Sequence, residues 1–245
     1  MPTWKSQCQN PNYKWSSKSK IVFWHFIIWI WFDIWTLDFR FNFFKMKKLL
    51  LHTCCVSCLS YVTKKLAEKG FRPVVFYYNP NIHGKVEFLN RLKDVENYCQ
   101  INNIEIVTPP YDEDDFWRPI SPWQDKKSIK YIGDRNRFRR KRCEFCYHLR
   151  MAKTVLEAKK RRIKYFSTTL LTSPYQDHEF IDYISSQLAK EYRLSFLYLD
   201  FRKGFWQGRN YCRAHKFMIP SYCGCIFSIT ERMLEWKTKW RISNV

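Results

Sequence analysis

Acidic residues are scarce in this chain: 22 Asp and Glu stand against 43 Lys and Arg, a formal charge of +21 over 245 residues. A deficit that large points to a polyanionic partner, either a nucleic acid or an acidic membrane surface. Membrane-length apolar runs are missing. The stretch IVFWHFIIWIWF (Ile21–Phe32) follows lysines, as the apolar part of a signal peptide would. It is too short to span a bilayer, ends at Asp33 and lacks a small-residue cleavage site. Phosphate-loop chemistry is missing as well: HTCCVSC, between the first expected strand and helix, has no glycine for close backbone approach and no GK[ST] lysine, which disfavours ATP. Neither CxxC pair has a thioredoxin-like WCxxC context, which weakens a dithiol oxidoreductase. No internal repeat or long low-complexity segment occurs.

Residues 1–45 are aromatic-rich and unlike the rest. They leave a membrane-associating arm open, but MKKLLLHTCC is a natural opening for a first buried strand. We therefore expect the native start at Met46 and take 46–245 as one domain, long enough for a sizeable core at 46% hydrophobic residues.

What the chain does have is cysteine, ten of them. A secreted disulfide framework is usually shorter and its cysteines dispersed, whereas these fall in CC, CxxC and CxC groups. Clustering favours metal or redox chemistry in a reducing cytosol. LLLHTCCVSC places Cys54, Cys55 and Cys58 directly behind a buried-strand pattern. Cys143 and Cys146, in RCEFCYHLR, fall at a second expected helix start, and Cys223 and Cys225, in YCGC, follow Pro220. Cys8, Cys99 and Cys212 stand alone and read as buried or incidental thiols.

Strand and helix patterns alternate from Met46 onward. KKLLLHT, RPVVFYYN, IEIVTPP, KYFSTTLL and LSFLYLDF are strand-like; CLSYVTKKLAEKG, EFLNRLKDVENYCQINN, CYHLRMAKTVLEAKKRRI and HEFIDYISSQLAKEY have helical spacing. A Pro-rich, charged crossing from Pro109 to about Asp134 reads as a loop with one short helix. Such alternation predicts an α/β fold, a parallel sheet with helices on both faces. In these sheets ligands bind beyond the carboxyl ends of the strands, where His52–Cys55, Asn79–Asn81, Thr172–Pro174 and Asp200 all fall.

Two CxxC pairs supply four thiolates, which suit tetrahedral zinc or an iron–sulfur cluster. Ribbon-type zinc sites separate their knuckles by roughly 15 to 20 residues. Cys58 and Cys143 are 85 positions apart, so a site joining them is assembled from distant turns, which favours a cluster over structural zinc.

HTCC (52–55), YYNPNIH (77–83), RCEFCYHLR (142–150), TTLLTSPYQDHE (168–179), DFRKGFW (200–206) and YCGC (222–225) occur in that order. Together they closely resemble the QueH-type epoxyqueuosine reductases, over about Met46 to Trp236. The resemblance implies a HUP-like sheet related to adenine nucleotide α-hydrolases. It implies reduction of epoxyqueuosine in tRNA to queuosine by a cytoplasmic enzyme with a 4Fe-4S cluster, without cobalamin or ATP and with no membrane partner. Cys54, Cys55, Cys143 and Cys146 match the family's cluster ligands, and Cys223 with Cys225 its redox-active disulfide. Cys58 is an alternative ligand. A second iron and the electron donor are left open. Residues 1–45 and RNYCRAHKFMIPS depart from the family pattern.

Other polar residues at expected strand ends, His52, Tyr175, His178, Asp200 and Arg202, are candidates for proton donation or substrate contact, each also explicable as a cap or satisfied polar group. Tyr77, Tyr78, Phe205 and Trp206 could stack on a splayed base, with core packing as the default. Between Lys126 and Lys164, sixteen Lys or Arg face three acids, and Arg135, Arg137, Arg139, Arg140, Lys141 and Arg142 are expected to face tRNA. The competing readings are a zinc-stabilised RNA-binding module and a thiol-disulfide oxidoreductase.

Overall fold

The structure, a computed structural model, describes residues 46–120 and 135–233. The expectations for residues 1–45, Cys8 included, lie outside them. Five parallel strands form one sheet in the order β3-β2-β1-β4-β5. They are β1 (Lys47–His52), β2 (Phe71–Phe76), β3 (Ile106–Val107), β4 (Tyr165–Thr168) and β5 (Ser195–Phe196). The helices are α1 (Val56–Glu68), α2 (Lys85–Ile101), α3 (Asp114–Ile120), α4 (Arg135–Lys160), α5 (His178–Tyr192) and α6 (Phe205–His215); residues 226–233 are also helical.

Strand β1 is central because its sequence allows no exposed face. Leu49, Leu50 and Leu51 are all fully buried, and successive strand residues point to opposite sides, so both faces must be covered. Burying each leucine contributes about 1.5–3 kcal/mol. β1 pairs with β2 over six residues, from Lys47 opposite Phe71 to His52 opposite Phe76, and with β4 over four. The chain leaves β1 toward β2 on one side and reaches β4 on the other. The carboxyl end of β1 is therefore the topological switch point, the crevice where open α/β sheets bind ligands.

The structure departs from the sequence expectations at four places. LSFLYLDF gives only the two-residue β5, and KYFSTTLL breaks after Thr168 into a 3₁₀ turn over Thr169–Thr172, whose first N–H groups are met by the Thr168 hydroxyl accepting from Leu170 N–H. Helix α4 starts at Arg135, so Cys143 and Cys146 lie within it rather than at its start. Helix α6 arises from FWQGRNYCRAH, which has no regular apolar period. It forms because Gly204 and Gly208 let it touch α1. A Cβ on Gly208 would lie 1.8 Å from the Ser57 carbonyl oxygen, and one on Gly204 1.9 Å from the Tyr61 ring. No helix of the described residues is long and apolar enough to cross a membrane.

Candidate active site

At the end of β1 the backbone turns sharply, and Cys55 becomes the N-cap of α1 in an extended conformation. The turn defeats the divergence expected of neighbouring strand side chains: the Cys54 and Cys55 sulfurs are 3.7 Å apart. Cys58, one helical turn on, joins them, and all three sulfurs lie within 4.8 Å of one another. These three thiols are close enough to hold a metal ion; thiolates around one tetrahedral ion would be separated by about 3.8 Å. Protons are shared unequally among them. Cys55 is held well below the ordinary thiol value by hydrogen bonds from Cys54 and Cys58, with further help from the Ser57 hydroxyl and the charge of Arg91. Its gain is its neighbours' loss. Donating to Cys55 pushes Cys54 up to about 12, and Cys58 rises well above the usual range for the same reason. The hydrogen bonds thus favour the thiolate at Cys55 over its two neighbours, at the positive end of a helix.

The trio opens into a cavity of about 750 Å³ that is also lined by Cys143, Cys146, Cys223 and Cys225. Seven of the nine described cysteines therefore share one space, and all nine are free thiols. The other two, Cys99 and Cys212, are buried elsewhere in the core, as isolated thiols should be. Burial raises Cys143 and Cys146. Neither sits at a helix start, so no helix N-terminus offsets it. Cys146 and Cys225 share a small apolar cluster with Phe116, against which Trp117, Phe145 and Phe227 pack. Cys143 and Cys146 face the same cavity as the trio but are not members of that close group.

The YCGC loop is held from two directions. Arg91, from α2, is 2% exposed and donates to the carbonyls of Cys223 (3.2 Å) and Tyr222 (3.4 Å) while its Nε donates to Glu87 at 2.8 Å. From the turn after β2, His83 N–H donates to Gly224 O at 3.1 Å, and Ile226 N–H donates to His83 Nδ1 at 3.0 Å. Gly224 is required there. Its φ is +119°, and a Cβ would meet Ile82 at 2.8 Å. The YYNPNIH block is thus the seat of the CxC loop.

Cationic side chains face the thiols. Arg91, Arg142, Arg150, Arg209 and Arg232 line the cavity, against the acids Glu144, Asp177 and Glu231. Arg150 is 1% exposed; its Nε donates to Cys146 O at 3.2 Å, while Nη1 and Nη2 have no hydrogen-bond partner among the described residues. Cys146, Cys223 and Cys54 all lie within its electrostatic reach, and its guanidinium stays charged despite burial. Sequence reasoning missed Arg91 and Arg150. Arg150 carried a signal, since it follows Cys146 by four residues and so shares its helix face.

The other expected residues separate cleanly. Tyr175 lines the cavity mouth and is 63% exposed. His52 does not face the cavity: it is fully buried, its Nε2–H donates to Tyr78 O at 3.1 Å, and its Nδ1 accepts from the Thr168 hydroxyl at 2.9 Å. Desolvation, aided by the charge of Arg150, lowers it to about 3. It is a neutral tie between strand ends, not an acid. His178 is buried with Nε2–H on Ser173 O, and Asp200 is paired with Arg202 at 2.6 Å on the surface. These three also lie outside the cavity lining, because each is consumed by a local turn or cap. Of the basic segment, Arg142 is turned inward, 4% exposed and paired with Glu231 at 3.0 Å, whereas Lys141 is exposed. Arg135, Arg137, Arg139 and Arg140 belong to the first turns of α4, which contain no acid. Tyr77 and Tyr78 are core residues; Trp206 is 64% exposed.

The family described as "Epoxyqueuosine reductase QueH" matches residues 49–231. The chain belongs to the QueH family. It is 32% identical over 186 residues to an epoxyqueuosine reductase QueH of Dehalococcoides mccartyi, covering 76% of this chain and 94% of the relative. It is 30% identical over 190 residues to that of Thermotoga maritima (76% and 93%) and 27% identical over 199 residues to that of Staphylococcus aureus (78% and 79%).

Proposed function

We propose that this chain is an epoxyqueuosine reductase, converting epoxyqueuosine in tRNA to queuosine in the last step of that modification. The observation that carries the reading is the convergence of seven cysteines and five arginines on one cavity in a QueH-family chain. Opening the epoxide to an alkene consumes two electrons and two protons and releases the oxygen as water.

Cys54, Cys55, Cys143 and Cys146 are the ligands we assign to a 4Fe-4S cluster. The donor set fits it: Cys55 and Cys146 are buried and Cys54 and Cys143 half-buried, cations face them, and Cys55 is held toward the thiolate form. When bound, such a cluster supplies electrons one at a time. Cys58 is the alternative ligand, given its place beside Cys54 and Cys55. Cys223 and Cys225 form a dithiol whose oxidation to a disulfide releases two electrons and two protons, matching the epoxide's demand. A reductant then restores the thiols. Arg91 and His83 hold the dithiol loop, and Arg150 offers two unengaged N–H-bearing nitrogens to negative charge on the leaving oxygen. A basic N-terminal turn in α4 suits a phosphate backbone, since like charges and the helix dipole repel one another until a polyanion arrives. A cytoplasmic setting follows from the substrate and from reduced thiols.

The spacing of Cys54, Cys55 and Cys58 also suits a single zinc ion, and that supports the second reading, a zinc-stabilised RNA-binding module. One experiment separates them. Anaerobically purified protein should be brown, carry about four iron and four sulfide per chain, and convert epoxyqueuosine to queuosine in tRNA with a chemical reductant. Colourless, zinc-loaded protein that leaves the epoxide intact after reconstitution with iron and sulfide would establish the second.

A further inference from the structure

Three aromatic side chains at the cavity mouth are not part of the core. Tyr175, from the turn before α5, and Trp206, at the start of α6, are 63% and 64% exposed. Phe205 lies between them, edge-on to Tyr175 at 6.0 Å and to Trp206 at 5.3 Å. Arg209, one turn along α6, stands over both Phe205 (5.6 Å) and Trp206 (5.8 Å). All four line the cavity that holds the cysteines. Their placement is expensive: Gly204 and Gly208 are both needed to bring α6 against α1, directly behind the Cys54–Cys58 turn. Leaving large rings in water beside a reactive site is unexplained by packing, because neither exposed ring is buried against the core.

We propose that Tyr175, Phe205 and Trp206, with Arg209, form a stacking platform for an unpaired RNA base adjoining the nucleotide that enters the cavity. The proposal rests on the reductase reading for its substrate, a tRNA loop. Rings presented face and edge to solvent accept any base by stacking, and a guanidinium beside them meets the neighbouring phosphate. Charge complementarity favours RNA, since the chain carries +21 and Lys203, immediately before the platform, is exposed. A duplex has no free base face to offer, so the platform selects a splayed loop.

The test uses the full-length protein and an anticodon stem-loop RNA with guanosine at the wobble position and 2-aminopurine as its loop neighbour. Wild type should bind it and quench the 2-aminopurine. Trp206→Ala should weaken binding roughly tenfold and abolish the quench, while Trp206→Phe should retain most of both. The salt dependence should keep its wild-type slope in Trp206→Ala, because stacking releases no counterions. Both rings are exposed, so thermal stability should not change. Wild-type affinity and quench in Trp206→Ala and Tyr175→Ala would overturn the platform, as would equal competition by a duplex of the same length. A Trp206 emission shift on phosphatidylserine vesicles without any response to the RNA would assign the surface to an acidic membrane instead, and overturn it too. The probe carries no epoxide. Binding and quenching by a wild type that cannot reduce epoxyqueuosine would therefore sink the reductase reading and leave the platform intact.

Discussion

Cys55-Val-Ser-Cys58 and Cys143-Glu-Phe-Cys146 have the same spacing and opposite electrostatics. The first begins at a helix N-cap, where the backbone turns and Cys54 and Cys58 donate to Cys55. The second lies inside α4, two turns beyond the helix start, where burial drives both thiols toward the neutral form. Spacing therefore fixes which side chains share a face, while the hydrogen bonds a thiol receives fix which form it favours. A site assembled from one of each has a nucleophilic half and a half that ionises only when a metal takes the proton's place.

The largest effect expected from this contrast is in the pH dependence of alkylation of metal-free protein. Cys55 and Cys146 are equally buried, each 7% exposed, so access does not distinguish them. Cys55, lowered, should react with iodoacetamide at a lower pH than Cys146, whereas Cys146, raised, should speed up about tenfold per pH unit from about pH 6 to 8. Parallel pH profiles for the two, read by peptide mass spectrometry, would erase the contrast. The same halves should behave alike toward metal. Cys55→Ser and Cys146→Ser should each lose most bound iron, because each removes one ligand of a single set; full iron in Cys146→Ser would confine the metal to the β1 turn.

A smaller effect is expected at the third pair, where Cys225 precedes the helix at 226–233 and its Sγ accepts from Ser228 N–H at 3.4 Å, while the loop before it depends on Arg91. Arg91→Lys keeps the charge near Cys55 but cannot reach Glu87 and two carbonyls at once. We expect a loss of about 2–3 kcal/mol in unfolding free energy and several-fold faster alkylation of Cys223. The Cys55 pH profile should stay as in wild type. Arg91→Gln should in addition move that profile upward, since the charge is then gone. If Cys223 is no more reactive in either variant, the arginine does not hold the loop.

The sheet and the cysteine groups were legible because each rests on local pattern: unbroken apolar runs at β1 and β2, and thiols at a strand end. β5 was overread, since LSFLYLDF is largely apolar but pairs only at Ser195 and Phe196. α6 was missed because its closest contacts are made by Gly204 and Gly208, while of its apolar residues Tyr211 and Cys212 pack in the core. His52 and Asp200 were located correctly at the sheet's carboxyl end, but position alone does not reveal that a turn has already engaged the side chain. Arg91 and Arg150 escaped notice because arginine is ordinarily a surface residue. Their burial is decided by which helix faces the cavity, a tertiary fact.

The smallest effect tests whether membership of the cavity, rather than burial, marks a functional thiol. Cys99 is 1% exposed, less than any cysteine of the site, and its value is raised to about 12 by desolvation. It packs in the main core and does not line the cavity. Cys99→Ser replaces a weakly polar thiol by a hydroxyl in apolar surroundings, which should cost about 1–2 kcal/mol of stability and lower the melting temperature by a few degrees. Iron content, tRNA affinity and the reactivity of Cys55 should match wild type, because no contact to the site is altered. Iron lost in proportion to that at Cys146→Ser would mean that any weakening of the core empties the site. The ligand assignments made from cysteine variants would then have to be replaced by ones read from spectra of the bound metal.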